Sequence, residues 1–345
     1  MARFFYHEEE EMLKVGSASA GKGSRGQGFI KVGELSVHSE ILIPVLIVNG
    51  KESGPVLWIN GGVHGDEINV FMAVRRLAAE LDPGKLKGAL VCTPTCNPLA
   101  TQWRQKLNPY DYLDLDQQFP GDPQGLISQR VAYHLFREIK DKANYLINFH
   151  TAATPYMAPP YTVYKVVPGV KPGLNQEVEK LARAFGLYGN CRVDISTAKG
   201  ELPGGMSGAL DVNCDMQGIP AFMAEVGSGG KFEEENIAVS QRGIRNVMKT
   251  LKMIPGEIEA PREQITVTKR RFLYCNKGGF LQLKVKPGAV LAKGDPVAEV
   301  IDLFSTVETL EAQEKTYVIQ VRVNPVVHTG DRVIFLASEW EPVKS

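Results

Sequence analysis

Two histidines and two glutamates stand where they could share one task. His64 and Glu67 lie three residues apart in Asn60-Gly-Gly-Val-His64-Gly-Asp-Glu67, His150 sits in Asn148-Phe-His150-Thr151, and Glu225 follows Pro220-Ala-Phe-Met-Ala224. An imidazole and a carboxylate at this spacing, at a loop-to-helix junction, can reach one cation. A second imidazole from a distant strand completes a two-histidine, one-carboxylate set with a position left open for water, the arrangement of hydrolytic zinc centres. Gly61, Gly62 and Gly65 permit the tight backbone such a turn needs. Taken alone, His-x-x-Glu recurs by accident and His150 reads as an ordinary core histidine; the placement of all the segments is what favours the metal reading.

That placement follows from the elements around them. An apolar strand at 56–59 precedes a helix whose apolar positions Ile68, Phe71, Met72, Val74, Leu77, Ala78 and Leu81 recur at three-to-four spacing before Pro83-Gly84. Further strands are predicted at 88–93, 145–149 and 219–224, and further helices at 126–140, 177–185 and 233–252. Strands alternating with helices predict an α/β fold, a mixed sheet flanked by helices, in which the carboxyl ends of the strands open on one crevice. Each candidate segment follows one of these strands. After residue 255 the texture turns Val- and Gly-rich, which divides the chain into a catalytic domain at 1–258, with residues 1–50 its leading strands, and a small C-terminal all-β sandwich or barrel at 259–345. Within the tail, Gly294-Asp295 and Gly330-Asp331 sit at equivalent places in two similar stretches, read as two hairpins with Gly-Asp turns.

Five ordered motifs carry a resemblance. Gly62-Val-His-Gly-Asp-Glu67, Asn97-Pro-Leu-Ala with Arg104 and Asn108-Pro, Leu113-Asp-Leu-Asp-Gln-Gln-Phe-Pro-Gly121, Asn148-Phe-His-Thr151 and Gly218-Ile-Pro-Ala-Phe-Met-Ala-Glu-Val-Gly227 resemble the succinylglutamate desuccinylase/aspartoacylase family over nearly the whole chain. The resemblance implies a zinc carboxypeptidase-like fold and hydrolysis of an amide bond in a small N-acyl amine or N-acyl amino acid. It implies further that His64, Glu67 and His150 hold one Zn2+ per chain, that Glu225 is the general base and that Arg104 polarises the scissile carbonyl. Asn97 and Tyr156 join Asp116 and Gln117 as candidate substrate contacts.

One motif departs from the family. Where Asn-Arg usually grips a substrate carboxylate, this chain has Asp116-Gln117. An arginine fork binds a carboxylate through two charge-assisted bonds, and an aspartate in its place repels one. The expected substrate group there is cationic or neutral, unless Arg192 or Lys199 enters the pocket and restores carboxylate binding. The plainer reading makes Asp116 a structural residue paired with a neighbouring arginine.

Composition narrows the partners. Lys plus Arg and Asp plus Glu number 39 each, so no net field exists to hold nucleic acid. Five cysteines with no Cys-x-x-Cys pair suit a reducing cytoplasm. The most apolar run, 41–48, contains Pro44 and falls far short of the roughly 20 residues that span a bilayer, and no signal-peptide pattern opens the chain. A small-molecule N-acyl substrate is therefore the expected partner, with no membrane and with a homo-oligomer left open. Two alternatives stand beside this reading: a metallo-carboxypeptidase, and a catalytically silent binding protein of the same fold.

Overall fold

Along the strand Glu52–Asn60 successive side chains point to opposite faces, so Leu57 and Ile59 enter one apolar layer and Trp58 the other. The computed structural model describes residues 12–197 and 206–343, and among these it repeats that division along a thirteen-stranded mixed sheet. One layer holds the helices Asn69–Glu80, Leu174–Ala184 and Glu234–Thr250. The other holds Ile127–Lys142 and Leu210–Met216, together with the leading strands Ser24–Glu34 and Glu40–Asn49. No helix among the described residues is long and apolar enough to cross a membrane.

Four adjacent parallel strands, Lys87–Thr93, Glu52–Asn60, Tyr145–His150 and Ala221–Glu225, form the centre of the sheet. Their carboxyl ends are in register: Asn60 lies opposite Thr93 and Asn148, and His150 opposite Glu225. The next strand, Tyr161–Val166, runs antiparallel and sets Tyr161 opposite Glu225.

The long strands and helices fall within a few residues of their predicted bounds. Two strands, Tyr161–Val166 and Gly189–Asp194, and two short helices, Pro98–Trp103 and Leu210–Met216, form where the sequence reading assigned none. Tyr161-Thr-Val-Tyr-Lys165 is buried on both faces, so no two-residue alternation marks it as a strand.

Beyond residue 264 the chain divides between two sheets. Ile265–Tyr274, Arg332–Pro342 and Thr316–Arg322 extend the large sheet, whereas Gly279–Leu283, Pro296–Ile301, Thr306–Glu311 and Val326–Val327 form a four-stranded sheet against it. Val297, Val300, Val318, Val333 and Leu336 fill the layer between them. The division at 258 and 259 stays a proposal drawn from texture; the hydrogen-bonded sheet runs across it, because Gly189–Asp194 pairs with Ile265–Tyr274.

The two Gly-Asp turns are equivalent, each glycine with φ 88° and each aspartate carboxylate accepting from a backbone N–H three residues earlier, at 2.8 and 2.9 Å. They do not close hairpins. Val290–Leu291 pairs in the large sheet and Pro296–Ile301 in the small one, and Val326–Val327 and Arg332–Pro342 are split in the reverse order. Each turn carries the chain from one sheet to the other because the apolar residues on both sides of it share the same core.

Candidate active site

The loop after Glu52–Asn60 can fold tightly only through its glycines. Gly62 has φ 65°, and a Cβ on Gly65 would sit 1.9 Å from the Ala100 carbonyl carbon. This close approach turns His64 and Glu67 inward toward His150, and the three are nearly fully buried. One donor atom from each lies within 4.8 Å of the others. Glu67 is the hub: its Oε1 is 2.9 Å from His64 Nδ1 and its Oε2 is 3.1 Å from His150 Nδ1, while Thr151 N–H donates to Oε2 at 3.2 Å.

The corner is built to hold positive charge. Burial alone would lower the His64 pKa, yet the Glu67 charge and the bond to Asp114 raise it to about 10. Glu67 is shifted the opposite way, below the usual carboxylate range, because the two imidazoles outweigh its burial. Two nitrogens and a carboxylate are a donor set that could hold a metal ion, as such sets do in open zinc sites, and the groups behind them fit one as well. His64 Nε2 meets Asp114 Oδ1 at 3.0 Å, and Lys106 Nζ lies 3.1 Å from the other carboxylate oxygen.

Behind His150 runs a buried relay. Trp58 Nε1 donates to Thr93 Oγ1 at 2.8 Å, Thr93 Oγ1 donates to Asn60 Oδ1 at 2.9 Å, and Asn60 Nδ2 donates to Asn148 Oδ1 at 2.9 Å. The Asn148 amide in turn lies 2.9 Å from His150 Nε2. As oriented in this relay, Asn148 Nδ2 faces His150 Nε2. A neutral imidazole that offers Nδ1 to a cation carries its proton on Nε2, so the arrangement ready for metal reverses the amides of both Asn60 and Asn148, which keeps the bond between them and turns the Asn148 oxygen to the ring.

Glu225 ends its strand beside this corner, with Oε2 buried and without a hydrogen-bond partner among the described residues. Burial, reinforced by the Glu67 charge, raises its pKa above the usual carboxylate range even though the imidazoles oppose the shift. His64 and Glu225 line a cavity of about 180 Å³, smaller than the pockets of several hundred cubic ångströms that take drug-sized ligands. Tyr161, Val163 and Lys165, alternate residues of one strand, line it too, as do Arg270, Arg332 and Phe335 from the C-terminal strands. Lys165 is buried and paired with Asp211.

Of the residues singled out from the sequence, His64, Glu67, His150 and Glu225 come together, and Asp116 and Gln117 line the same cavity. Asp116 forms no ion pair with an arginine among the described residues; its Oδ1 accepts from Leu210 N–H at 3.4 Å, at the start of the helix Leu210–Met216. Asn97 is buried as a helix cap, accepting from Ala100 N–H and donating to the Val63 carbonyl. Tyr156 lies outside the cavity lining, 5.8 Å beneath the Arg322 guanidinium. Arg104 is exposed at the end of the helix Pro98–Trp103 with φ 54°, and Lys106 takes the lining position nearby. Arg192 lies 4.0 Å from Asp194 and outside the lining, and Lys199 falls outside the described residues. The sequence reading passed over Asp114, Lys106, Tyr161, Lys165, Arg270 and Arg332. A lysine inside an aromatic and β-branched run was the available signal for Tyr161–Val166.

Comparison with known proteins adds four findings. Residues 53–251, more than half of the chain, match the family model described as the succinylglutamate desuccinylase/aspartoacylase catalytic domain. The N-alpha-acetyl-L-2,4-diaminobutyric acid deacetylase of Halomonas elongata is 26% identical over 325 residues, covering 91% of this chain and 92% of that protein. Among solved structures, a succinylglutamate desuccinylase/aspartoacylase from Rhodobacter sphaeroides has TM-score 0.80 at 24% identity, covering 93% of this chain and 96% of its own. A product-bound ectoine utilization protein from Ruegeria pomeroyi has TM-score 0.81 at 22% identity, covering 95% and 98%.

Proposed function

This chain belongs to the succinylglutamate desuccinylase/aspartoacylase family, and on that premise we propose that it hydrolyses the amide bond of a small N-acyl amine or N-acyl amino acid. The observation that carries the proposal is the convergence of His64, Glu67 and His150 beside a small cavity lined by His64 and by Glu225, whose buried Oε2 has no hydrogen-bond partner among the described residues. A zinc ion, one per chain, held by the first three residues would supply a Lewis acid that polarises the acyl carbonyl and brings the pKa of water toward neutrality.

The chain's own groups do the rest. Glu225 takes a proton from the attacking water and returns one to the nitrogen of the leaving amine, the two transfers that amide hydrolysis needs near neutral pH. Its buried Oε2 has no competing donor among the described residues, which supports that role. Asp114 fixes the His64 ring through Nε2, and Asn148 does the same for His150. Arg104 stands outside the cavity lining and is assigned the developing oxyanion from the family resemblance alone, whereas Asp116 and Gln117 line the cavity and are assigned the substrate.

The size of the cavity favours a small metabolite over the peptide of a carboxypeptidase. The Halomonas elongata relative is named for an N-acetylated diamino acid, which bears both an ammonium and a carboxylate, and that class is the first to test. A cytoplasmic setting belongs to the same proposal and is supported by five cysteines that are all buried and outside any disulfide. Metal analysis of the purified protein, followed by release of free amine from a panel of N-acetylated diamines and amino acids, tests the reading. One zinc per chain and turnover of at least one panel member are expected. Metal-free protein that stays inert after zinc is added would overturn it.

A further inference from the structure

The C-terminal strands bring a layered stack to the cavity. Phe272 and Phe335 are register partners on neighbouring strands, with ring centroids 4.4 Å apart and planes 22° from parallel. The Arg332 guanidinium lies 4.4 Å from the Phe272 centroid, and the Arg270 guanidinium lies 5.5 Å from that of Phe335. Arg270, Phe335 and Arg332 line the same cavity as His64 and Glu225.

Stacking engages the face of a guanidinium and leaves its N–H donors pointing outward in the plane of the group. Among the described residues Arg332 takes part in no ion pair or hydrogen bond, so none of them engages those donors. Aromatic rings accept hydrogen bonds weakly, so the stack fixes the fork without competing for it. A fork already held flat loses little freedom on binding and matches the two oxygens of a carboxylate. The same cavity carries the Asp116 carboxylate, which suits an ammonium.

We propose that Arg332, held on the Phe272–Phe335 stack, receives the carboxylate of an N-acyl amino acid. The C-terminal strands, rather than the Asp116-Gln117 loop, then select for that group, and a substrate carrying both charge signs satisfies Arg332 and Asp116 together. This inference rests on the deacylase reading for its substrate but not for its binding chemistry.

The test compares N-acetyl-2,4-diaminobutyrate with its carboxamide, which keeps the scissile bond and the ammonium but loses the negative charge. Wild type should prefer the acid. Arg332→Ala should lose about tenfold to a hundredfold on the acid, through KM, and leave the carboxamide little changed. Arg332→Lys should restore only part of the loss, because an ammonium has no fork. Equal effects on the two compounds, or none on either, would overturn the assignment. If wild type cleaves neither compound the deacylase reading fails, and calorimetric binding of the same pair then decides on Arg332: binding of the acid that the variant loses supports it, and unchanged binding removes it. Should Arg332→Ala not fold, Arg332→Gln is read the same way.

Discussion

The candidate metal-ligand corner and the proposed substrate wall of this cavity draw on different parts of the chain. His64, Glu67, His150 and Glu225 end three neighbouring parallel strands or occupy the loop just beyond one, so sheet register and the tight glycine turn after Asn60 bring them together. Tyr161 and Lys165, by contrast, sit on a strand that runs the other way, and Arg270 and Arg332 arrive from strands more than a hundred residues later. The first group is held by short loops and buried partners; the second is held by strand pairing and ring stacking. Chemistry placed on the corner can persist while the wall changes, which is how one scaffold can serve different N-acyl substrates.

Substitutions in the corner should therefore cost turnover or metal, and substitutions in the wall should cost selectivity. Arg104 tests the edge of that division. Arg104→Ala is expected to lower kcat on the order of 10²–10³-fold with KM little altered, as loss of an oxyanion donor does. An unchanged kcat would pass the role to Lys106, whose Nζ already reaches Asp114.

A smaller effect belongs to the relay behind His150. Asn148→Leu should weaken zinc binding by about tenfold to a hundredfold, measured by competition with a chelator, because the ring loses its partner at Nε2. Asn148→Asp, whose carboxylate can accept from both Asn60 and a protonated Nε2, should bind zinc at least as well as wild type. If both variants lose affinity equally, packing rather than the hydrogen bond positions His150.

The same contrast explains what the sequence made legible. The corner could be found because glycines, ligand types and strand ends occur within a few residues of one another, as in 60–67 and 148–150. The central strands stood out as apolar runs, and the two Gly-Asp turns were visible as a repeat. The wall was hidden for a physical reason. Lys165 is buried against Asp211, and Arg332 and Phe335 meet Arg270 and Phe272 only through pairing between Ile265–Tyr274 and Arg332–Pro342. No local spacing encodes that meeting. Asp116 was readable as a departure from the family, but the cations sharing its cavity were not, so the expectation of a cationic or neutral group took in only half of the surroundings. The short helix Pro98–Trp103 carried a usable mark, Asn97 as cap and Pro98 at its first position.

The central claim is that one buried carboxylate moves the protons for a metal held by three other residues. Glu225→Gln separates these duties, since the amide keeps the shape of the side chain but cannot take a proton. Zinc content and turnover of N-acetyl-2,4-diaminobutyrate should be measured on one preparation of this variant. Zinc at the wild-type level with turnover reduced by about 10²–10⁴-fold is the expected result. Turnover near wild type with the zinc retained would contradict it.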